Sequence, residues 1–419
     1  MSEREVFVHV DLEGVSHLVG RLWTHSQRGA ETATFRYDEK WLANEARFSL
    51  EPALHLGPGP FHATPAQPLF GAIGDSAPDR WGQALMRRVE RRRAEREGKA
   101  PRTLLKINYL LGVNDETRLG ALRFSAQPGG PFLQPPENAL RIPPLIDLPK
   151  LLAATQRVAK DIDTEDDLRL LLAPGSSLGG ARPKASVRDR DGHLAIAKFP
   201  GEGDDYNVVL WEALALTLAA KAGLTTATWR TVTVAKRPTL LLRRFDRSQQ
   251  TRIPFLSAMS MLGAKDGDPH SYLEIADALR QNGAAPREDM RELWGRIVFS
   301  VLISNTDDHL RNHGFLYEGR NGWRLSPLYD VNPVPADLRP RVLTTAINED
   351  DGTASLPLAL EVAPWFGLKP QQARQIARRI GDAVSSWREE AATLGIRKTE
   401  ITRMASAFEH GDLEAAQND

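Results

Sequence analysis

The chain has 419 residues, 54 Lys and Arg against 54 Asp and Glu, and no cysteine. Its length predicts two or three domains with sizeable cores. The zero net charge gives no global basic footprint for nucleic acid, and the missing thiols exclude disulfides and cysteine catalysis. The opening Met-Ser-Glu-Arg-Glu-Val has no apolar signal region, and no run approaches the roughly 18 apolar residues of a membrane span. A cytoplasmic protein with no membrane partner is therefore expected.

Residues 1–126 read as a small α+β unit. Strands are predicted at 6–10, 15–23 and 32–37, followed by a Pro-rich loop at 57–68. A helix starts near Asp79 and runs through Arg91, a second covers 104–111, and 120–124 reads as a closing strand. The basic run from Arg87 to Arg93 is interrupted by Glu90 and followed by Glu95 and Glu97. It reads as a solvated helix face in preference to a nucleic-acid surface. Residues 127–147 are Pro- and Gly-rich and read as a linker. Residues 148–172 are helical, with a charged middle at 161–167 where the helix can split. We assign 148–245 to one further domain and 246–419 to a mostly helical one.

The stretch Gly175-Ser176-Ser177-Leu178-Gly179-Gly180-Ala181-Arg182-Pro183-Lys184 is glycine-rich but lacks the Gly-Lys-Ser/Thr of a Walker loop. Small consecutive residues let backbone N–H groups approach an anion; a flexible turn is the alternative. Strands follow at 185–187 and 194–199, joined by Asp191-Gly192. Lys198 ends the second strand, where a kinase places its phosphate-binding Lys. Glu212 lies on a predicted helix at 206–220, capped by Asp204 or Asp205. A kinase pairs such a Glu with the strand Lys; a surface Glu is the alternative. A hairpin at 231–235 and 239–243 runs into Arg244-Phe245-Asp246-Arg247, where a hinge backbone would grip adenine.

From 255 onward the pattern is almost wholly helical, apart from a hairpin at 314–329. Met290, Leu293, Trp294, Ile297, Val298, Val301 and Leu302 form one apolar face of a helix. The helix hands the chain to Ser304-Asn305-Thr306-Asp307-Asp308-His309-Leu310-Arg311-Asn312. The five-residue step from Asp307 to Asn312 is that of the protein-kinase catalytic loop. There the Asp accepts the proton of the attacking hydroxyl and the Asn holds magnesium on the nucleotide phosphates. Asp330, after the hairpin, is placed to be the second magnesium ligand, and such hard oxygen ligands suit magnesium better than zinc. Three alternatives stay open on these residues: a solvated loop, a metal cluster of Asp307, Asp308, His309 and His313, and a small-molecule kinase. Many kinases of the last kind place a His where this chain has Asn305. Terminal helices at 371–380, 382–394 and 399–408 read as packing elements.

Taken in order, the Gly175–Lys184 stretch, Ala197-Lys198-Phe199-Pro200, Arg243-Arg244-Phe245-Asp246-Arg247, the 306–312 loop and Tyr329-Asp330 resemble the HipA family. These are serine/threonine kinases that act as toxins of bacterial type II toxin–antitoxin modules. Residues 1–126 are similar to the family's N-terminal subdomain. The resemblance implies a two-lobed, protein-kinase-like α+β fold and a dependence on ATP and Mg2+. It implies Asp307 as general base, Asn312 and Asp330 as magnesium ligands, and Lys198 with Glu212 at the phosphates. Gly179, Gly180, Ala181, Arg182, Pro183 and Lys184 would wrap the nucleotide. The backbone of Arg243, Arg244 and Phe245 would hold adenine, and His309 and Tyr329 would complete the ATP site. Ser177 matches the family's autophosphorylated serine, with Ser176 as its rival. The implied partners are a small helix-turn-helix, HipB-like antitoxin, DNA reached only through it, and a protein substrate such as an aminoacyl-tRNA synthetase. A catalytically silent antitoxin-binding scaffold is the competing reading from another class.

Overall fold

Alternating apolar residues in the first forty positions build a long antiparallel meander. Strands β1 (Ser2–Leu12), β2 (Val15–Gln27) and β3 (Ala30–Tyr37) are extended by β4 (Phe61–His62) and β5 (Leu122–Ser125) in the order β4-β3-β2-β1-β5. Val6, Val8 and Val10 share one face of β1, as the period of two requires, and Phe7 and His9 on the other face are buried as well. Gly20 in β2 has no alternative, because a Cβ there would lie 2.3 Å from the Arg36 carbonyl. This is a computed structural model of the chain, and it describes residues 2–27, 30–133, 142–172, 180–249 and 251–418. The chain divides into two compact units, Met1–Gly203 with Val232–Leu256, and Asp204–Thr231 with Ser257–Asp419.

In the first unit, α1 (Glu39–Leu42) and α2 (Gly71–Asp75) precede the long α3 (Arg80–Glu97) and the short α4 (Lys106–Leu111). Asp79 caps α3 by accepting from the Gly82 N–H at 2.8 Å. The helix runs six residues past the predicted end at Arg91, because its charges are paired. Arg88 meets Asp163 at 2.6 Å, Arg96 meets Glu165 at 3.1 Å, and Glu90 accepts from Arg93 and Arg102 at 2.7 and 3.0 Å. The basic run is thus largely neutralised within the unit.

The predicted helical stretch 148–172 splits into α5 (Leu148–Ala159) and α6 (Glu165–Leu172). They are joined by Arg157 on Asp167, which holds that carboxyl down at about 2. Both helices pack on a four-stranded sheet, β6 (Lys184–Arg188), β7 (Leu194–Lys198), β8 (Trp229–Val234) and β9 (Arg237–Arg243), ordered β6-β7-β9-β8. Leu151, Leu168, Val187, Ala195, Ala197 and Leu241 form the shared core. The β8–β9 turn puts Ala235 and Lys236 at φ +46° and +65°, the left-handed pair that a two-residue hairpin demands. Short strands β10 (Arg247–Ser248) and β11 (Thr251–Arg252) follow, then β12 (Phe255–Ser257).

The second unit is mostly helical. α7 (Val208–Lys221) is capped by Asn207, whose side chain accepts from Leu210 N–H at 3.2 Å. The predicted caps Asp204 and Asp205 lie too far upstream to reach the first turn. Then come α8 (Ala258–Met261), α9 (Tyr272–Asn282) and α10 (Pro286–Leu302). α10 was expected to bury one face, yet Gly295, Arg296 and Ser300 are buried as well. Arg296 is tolerated inside because it donates to Glu292 at 3.0 Å and to the Ser326 carbonyl at 2.7 Å.

The hairpin forms from β13 (Gly314–Tyr317) and β14 (Trp323–Leu325), the return strand ending four residues before the predicted Tyr329. There Leu328 N–H turns instead to the Thr225 carbonyl at 2.8 Å. Residues 326–355 contain no helix, so the expectation of an almost wholly helical second half fails there. Side-chain anchors replace helical bonding: Arg341 reaches the Val301 carbonyl, Ser304 Oγ and Asp412 at 3.0, 3.0 and 2.8 Å.

The chain closes with α11 (Leu356–Val362), α12 (Pro370–Ser385), α13 (Trp387–Thr393), α14 (Lys398–Arg403), α15 (Ala405–Phe408) and α16 (Gly411–Asn418). α12 passes straight through Gly381, where a break was predicted. That glycine lets α16 approach, since a Cβ would stand 3.0 Å from the Ala416 Cβ. Trp387 stacks on Phe408 at 4.4 Å, with Trp211 beside both. Among the described residues no helix is long and apolar enough to cross a membrane.

Candidate active site

The second unit holds the acidic loop. α10 ends at Leu302 with Ile303 as its C-cap, and Ser304 takes a left-handed conformation, φ +52°, that turns the chain out of the helix. Two adjacent carboxylates then meet opposite fates. The Asp307 side chain is 62% exposed, and its Oδ1 accepts from the half-exposed Arg339 at 2.9 Å. Asp308 is buried: it accepts from Tyr272 Oη and from Ser300 Oγ at 3.2 Å, and His313 Nε2 approaches its Oδ1 at 3.1 Å. Burial alone would raise the Asp308 carboxyl, but His313 and the Tyr272 hydroxyl hold it below the usual range. Asp308 is a structural anchor, and Asp307 is the carboxylate that faces solvent.

Asn312 sits in a 3-10 turn, Leu310–Asn312, five residues beyond Asp307. Its Nδ2 donates to the Asp307 carbonyl at 3.2 Å and to the Asp330 carbonyl at 3.5 Å. The structure therefore brings Asp307, Asn312 and Asp330 together, as the spacing predicts. Asn312 Oδ1 is buried and accepts from nothing in the protein. Asp330 is itself left-handed, φ +56°, a strained setting for a residue with a side chain. A buried oxygen without a donor beside an Asp is a fit for a hard cation. Asn312 Oδ1 and the Asp330 carboxylate are the groups that would hold magnesium.

His309 N–H donates to the Asp307 carbonyl at 2.9 Å, while its buried Nδ1 has no partner in the protein. Tyr329 Oη is committed to the Arg311 carbonyl at 2.6 Å. Asn305 braces the loop from behind, accepting from Asn332 N–H at 3.1 Å and donating to Ser300 Oγ at 3.2 Å. The alternative metal cluster is not formed. Among the described residues no three His, Asp or Glu groups could share a metal, because Asp308 and His313 point inward while Asp307 points out. Sequence reasoning missed Arg339 and Tyr272, which come from 32 and 36 residues away and carry no local signal. Glu212 is buried on α7 in this unit, so the surface alternative for it falls.

The first unit carries the predicted phosphate and hinge residues. Gly175, Ser176, Ser177, Leu178 and Gly179 lie outside the described residues. Gly180 takes φ +93°, a glycine conformation, and Ala181 and Arg182 are exposed. Pro183 accepts from the Phe199 N–H at 3.0 Å. Lys184 opposes Lys198 across the β6–β7 pair. Lys198 is half-buried, but the Lys184 ammonium is buried against Asp79 at 2.7 Å. Lys184 therefore clamps β6 to the start of α3, and its ammonium is paired with the Asp79 carboxylate.

At the hinge, Arg243 opposes Ala195 in the sheet, and Arg244 N–H donates to the Leu194 carbonyl at 3.0 Å. That N–H is thus spent on the sheet and is not open to adenine. Phe245 packs against Phe255, Leu119 and Ile196. The Arg244 guanidinium is buried on Asp246 at 2.5 Å and on the Arg118 carbonyl at 3.0 Å. Burial would raise the Asp246 carboxyl, yet Arg244 and Arg247 hold it far below its usual value. Gly120 N–H also donates to Asp246 at 2.8 Å, tying the hinge to the N-terminal sheet's connecting loop.

A family comparison decides the affiliation. The profile of the "HipA-like C-terminal domain" matches residues 176–387, just over half of the chain. The chain belongs to the HipA family. Over 417 aligned residues it is 26% identical to a Sinorhizobium fredii protein named "Putative kinase Y4mE", covering 89% of this chain and 91% of that one. A Haemophilus influenzae protein named "Putative kinase" is 28% identical over 130 residues, covering 28% of this chain and 38% of that one. Among solved structures, the Shewanella oneidensis HipA, in a complex with HipB and operator DNA, is 17% identical with a TM-score of 0.67. The likeness covers 99% of this chain and 96% of that one. The HipA fold, α+β and kinase-like, is therefore shared along the whole length.

Proposed function

We propose that this HipA-family chain is an ATP- and magnesium-dependent serine/threonine protein kinase, the toxin of a toxin–antitoxin module. One observation carries the reading: Asn312 links Asp307 to Asp330 while leaving a buried oxygen, its Oδ1, with no donor. A scaffold gains nothing from a buried unsatisfied acceptor, which costs stability; a nucleotide–metal site uses it. The kinase names of the two relatives support the same class.

In the proposed reaction a Ser or Thr hydroxyl oxygen forms a bond to the γ-phosphorus of ATP as the bond to the ADP oxygen breaks. Asp307 takes the hydroxyl proton and releases it to solvent. Lys198 and the backbone of residues 179–183 bind the phosphates, with Glu212 as the proposed partner of Lys198. Bound magnesium supplies charge neutralisation on the β- and γ-phosphates. The backbone of Arg243 and Phe245, with the Arg244 carbonyl, holds adenine. Ser177 is the proposed autophosphorylation site. A HipB-like antitoxin is the proposed partner and the route to DNA, by likeness to the Shewanella complex. An aminoacyl-tRNA synthetase or another translation component is the proposed target.

The test is incubation with labelled ATP, magnesium and cell lysate, followed by mass spectrometry of phosphopeptides. Phosphoserine or phosphothreonine made by the wild type and not by Asp307→Asn supports the kinase. No label above the Asp307→Asn background, with antitoxin binding intact, supports the silent scaffold instead.

A further inference from the structure

The segment after Asp330 is pinned to the catalytic loop at both ends. Val334 N–H donates to the Ser304 carbonyl at 3.1 Å. Thr344 gives its N–H and its hydroxyl to the Thr306 carbonyl at 3.1 and 2.9 Å. Thr345 does the same to the Asp308 carbonyl at 3.2 and 2.7 Å. Between these anchors a turn closed by Leu338 N–H on the Pro335 carbonyl leaves residues 336–340 exposed.

This exposed ledge is not an ordinary solvated loop. Leu338 and Val342 are large apolar side chains left 44% and 50% exposed. Arg339, between them, reaches back to cover Asp307 Oδ1. The cations around it have other carboxylates: Arg341 has Asp412, Arg311 has Asp266, and Arg403 lies 3.7 Å from Asp337. Among the described residues, the carboxylate that Arg339 meets is that of Asp307, the proposed base.

We propose that residues 336–342 dock the polypeptide substrate, and that the docked segment carries an acidic residue close to the acceptor hydroxyl. The inference rests on the kinase reading above. An Asp oxygen engaged by a guanidinium is not free to take a hydroxyl proton. The pair is exposed on both sides and hence weak, so a second carboxylate displaces it readily. A substrate Asp or Glu on Arg339 accepts in the bidentate geometry that guanidinium favours, and frees Asp307 at the moment the hydroxyl arrives. Leu338 and Val342 then cover an apolar neighbour in the same segment.

The experiment is a positional-scanning library of Ser and Thr peptides with labelled ATP, run on the wild type, Arg339→Ala, Arg339→Glu and Asp307→Asn. The wild type should enrich Asp and Glu beside the acceptor. Arg339→Ala should lose about tenfold in kcat/KM on the best acidic peptide, carried by KM with kcat kept, as loss of one charge pair implies. Arg339→Glu should shift the preference to Lys and Arg. Labelling without acidic enrichment, or an unchanged profile in Arg339→Glu, overturns the docking assignment and leaves the kinase standing. No label from the wild type above Asp307→Asn, on peptides or on lysate protein, overturns both.

Discussion

His313 Nε2 lies 3.1 Å from Asp308 Oδ1, and both side chains are buried. One position earlier, Asp307 faces solvent. The two neighbours should therefore fail in different ways when replaced. Asp307→Asn should keep stability within about 0.5 kcal/mol, as exposed substitutions do, and lose phosphoryl transfer by at least ~100-fold. Asp308→Ala should cost about 3–5 kcal/mol, because it strips a buried charge network of one partner. Urea unfolding and a peptide-labelling assay on both variants check this. Asp308→Ala at wild-type stability would remove the anchor role.

The Asp308 carboxyl is held below its ordinary value in the fold. A depressed folded pKa adds stability above the unfolded value, near 3.8, that is lost as pH falls through the folded value. Wild type should therefore lose more stability than Asp308→Asn on acidification below about pH 4. Unfolding midpoints from pH 6 to pH 3 read the difference.

Glu51 is the opposite case. Burial raises its carboxyl from 4.5 to about 7, Asp75 adds to the shift, and the Ala72 N–H donated to it at 2.5 Å works against both. A raised carboxylate favours the fold while protonated, so its contribution falls as pH rises from 4.5 to about 7. The loss amounts to roughly 3 kcal/mol for a shift from 4.5 to about 7. Glu51→Gln keeps an acceptor for Ala72 and carries no charge. It should unfold at a higher temperature than wild type at pH 8 and at nearly the same temperature at pH 5. Equal midpoints at pH 8 would contradict the raised carboxyl.

Asn312→Ala and Asp330→Ala should each weaken magnesium-dependent binding of a non-hydrolysable ATP analogue by about tenfold or more, the worth of one charge-assisted ligand. Titration calorimetry with and without magnesium separates the metal term from the nucleotide term. Binding that drops equally in both conditions would assign the residues to the nucleotide alone.

A phosphate on Ser177 brings about −1.5 to −2 charges. On the proposed reading, in which the backbone around Ser177 would receive the ATP phosphates, it would repel the γ-phosphate and lower ATP affinity. Intact-mass and peptide mapping of the wild type, Ser177→Ala and Ser176→Ala after incubation with ATP should find the phosphate on Ser177. Unchanged affinity after stoichiometric Ser177 phosphorylation would sink the mechanism, and phosphate on Ser176 alone would sink the assignment.

Local pattern was enough for much of this molecule. Period-two alternation marks β1 to β3, Asp79 announces α3, and the Asp307–Asn312 step with a hairpin before Asp330 is legible because each rests on neighbours within a few residues. Element ends were less legible. α3 outruns its predicted end through ion pairs to Asp163 and Glu165 some 70 residues away, and Gly381 serves packing on Ala416 and does not break its helix. Spacing alone distinguishes Asp307 from Asp308 by a count of five. Only the tertiary structure decided their environments, since Tyr272, Ser300 and His313 bury one and Arg339 meets the other in solvent. The same holds for Lys184, basic and closing a glycine-rich stretch in sequence but paired with Asp79 across 105 positions. Sequence states which charges exist and at what interval. Which of them are paired, buried or left to meet a substrate depends on contacts that chain folding alone brings within a few ångströms.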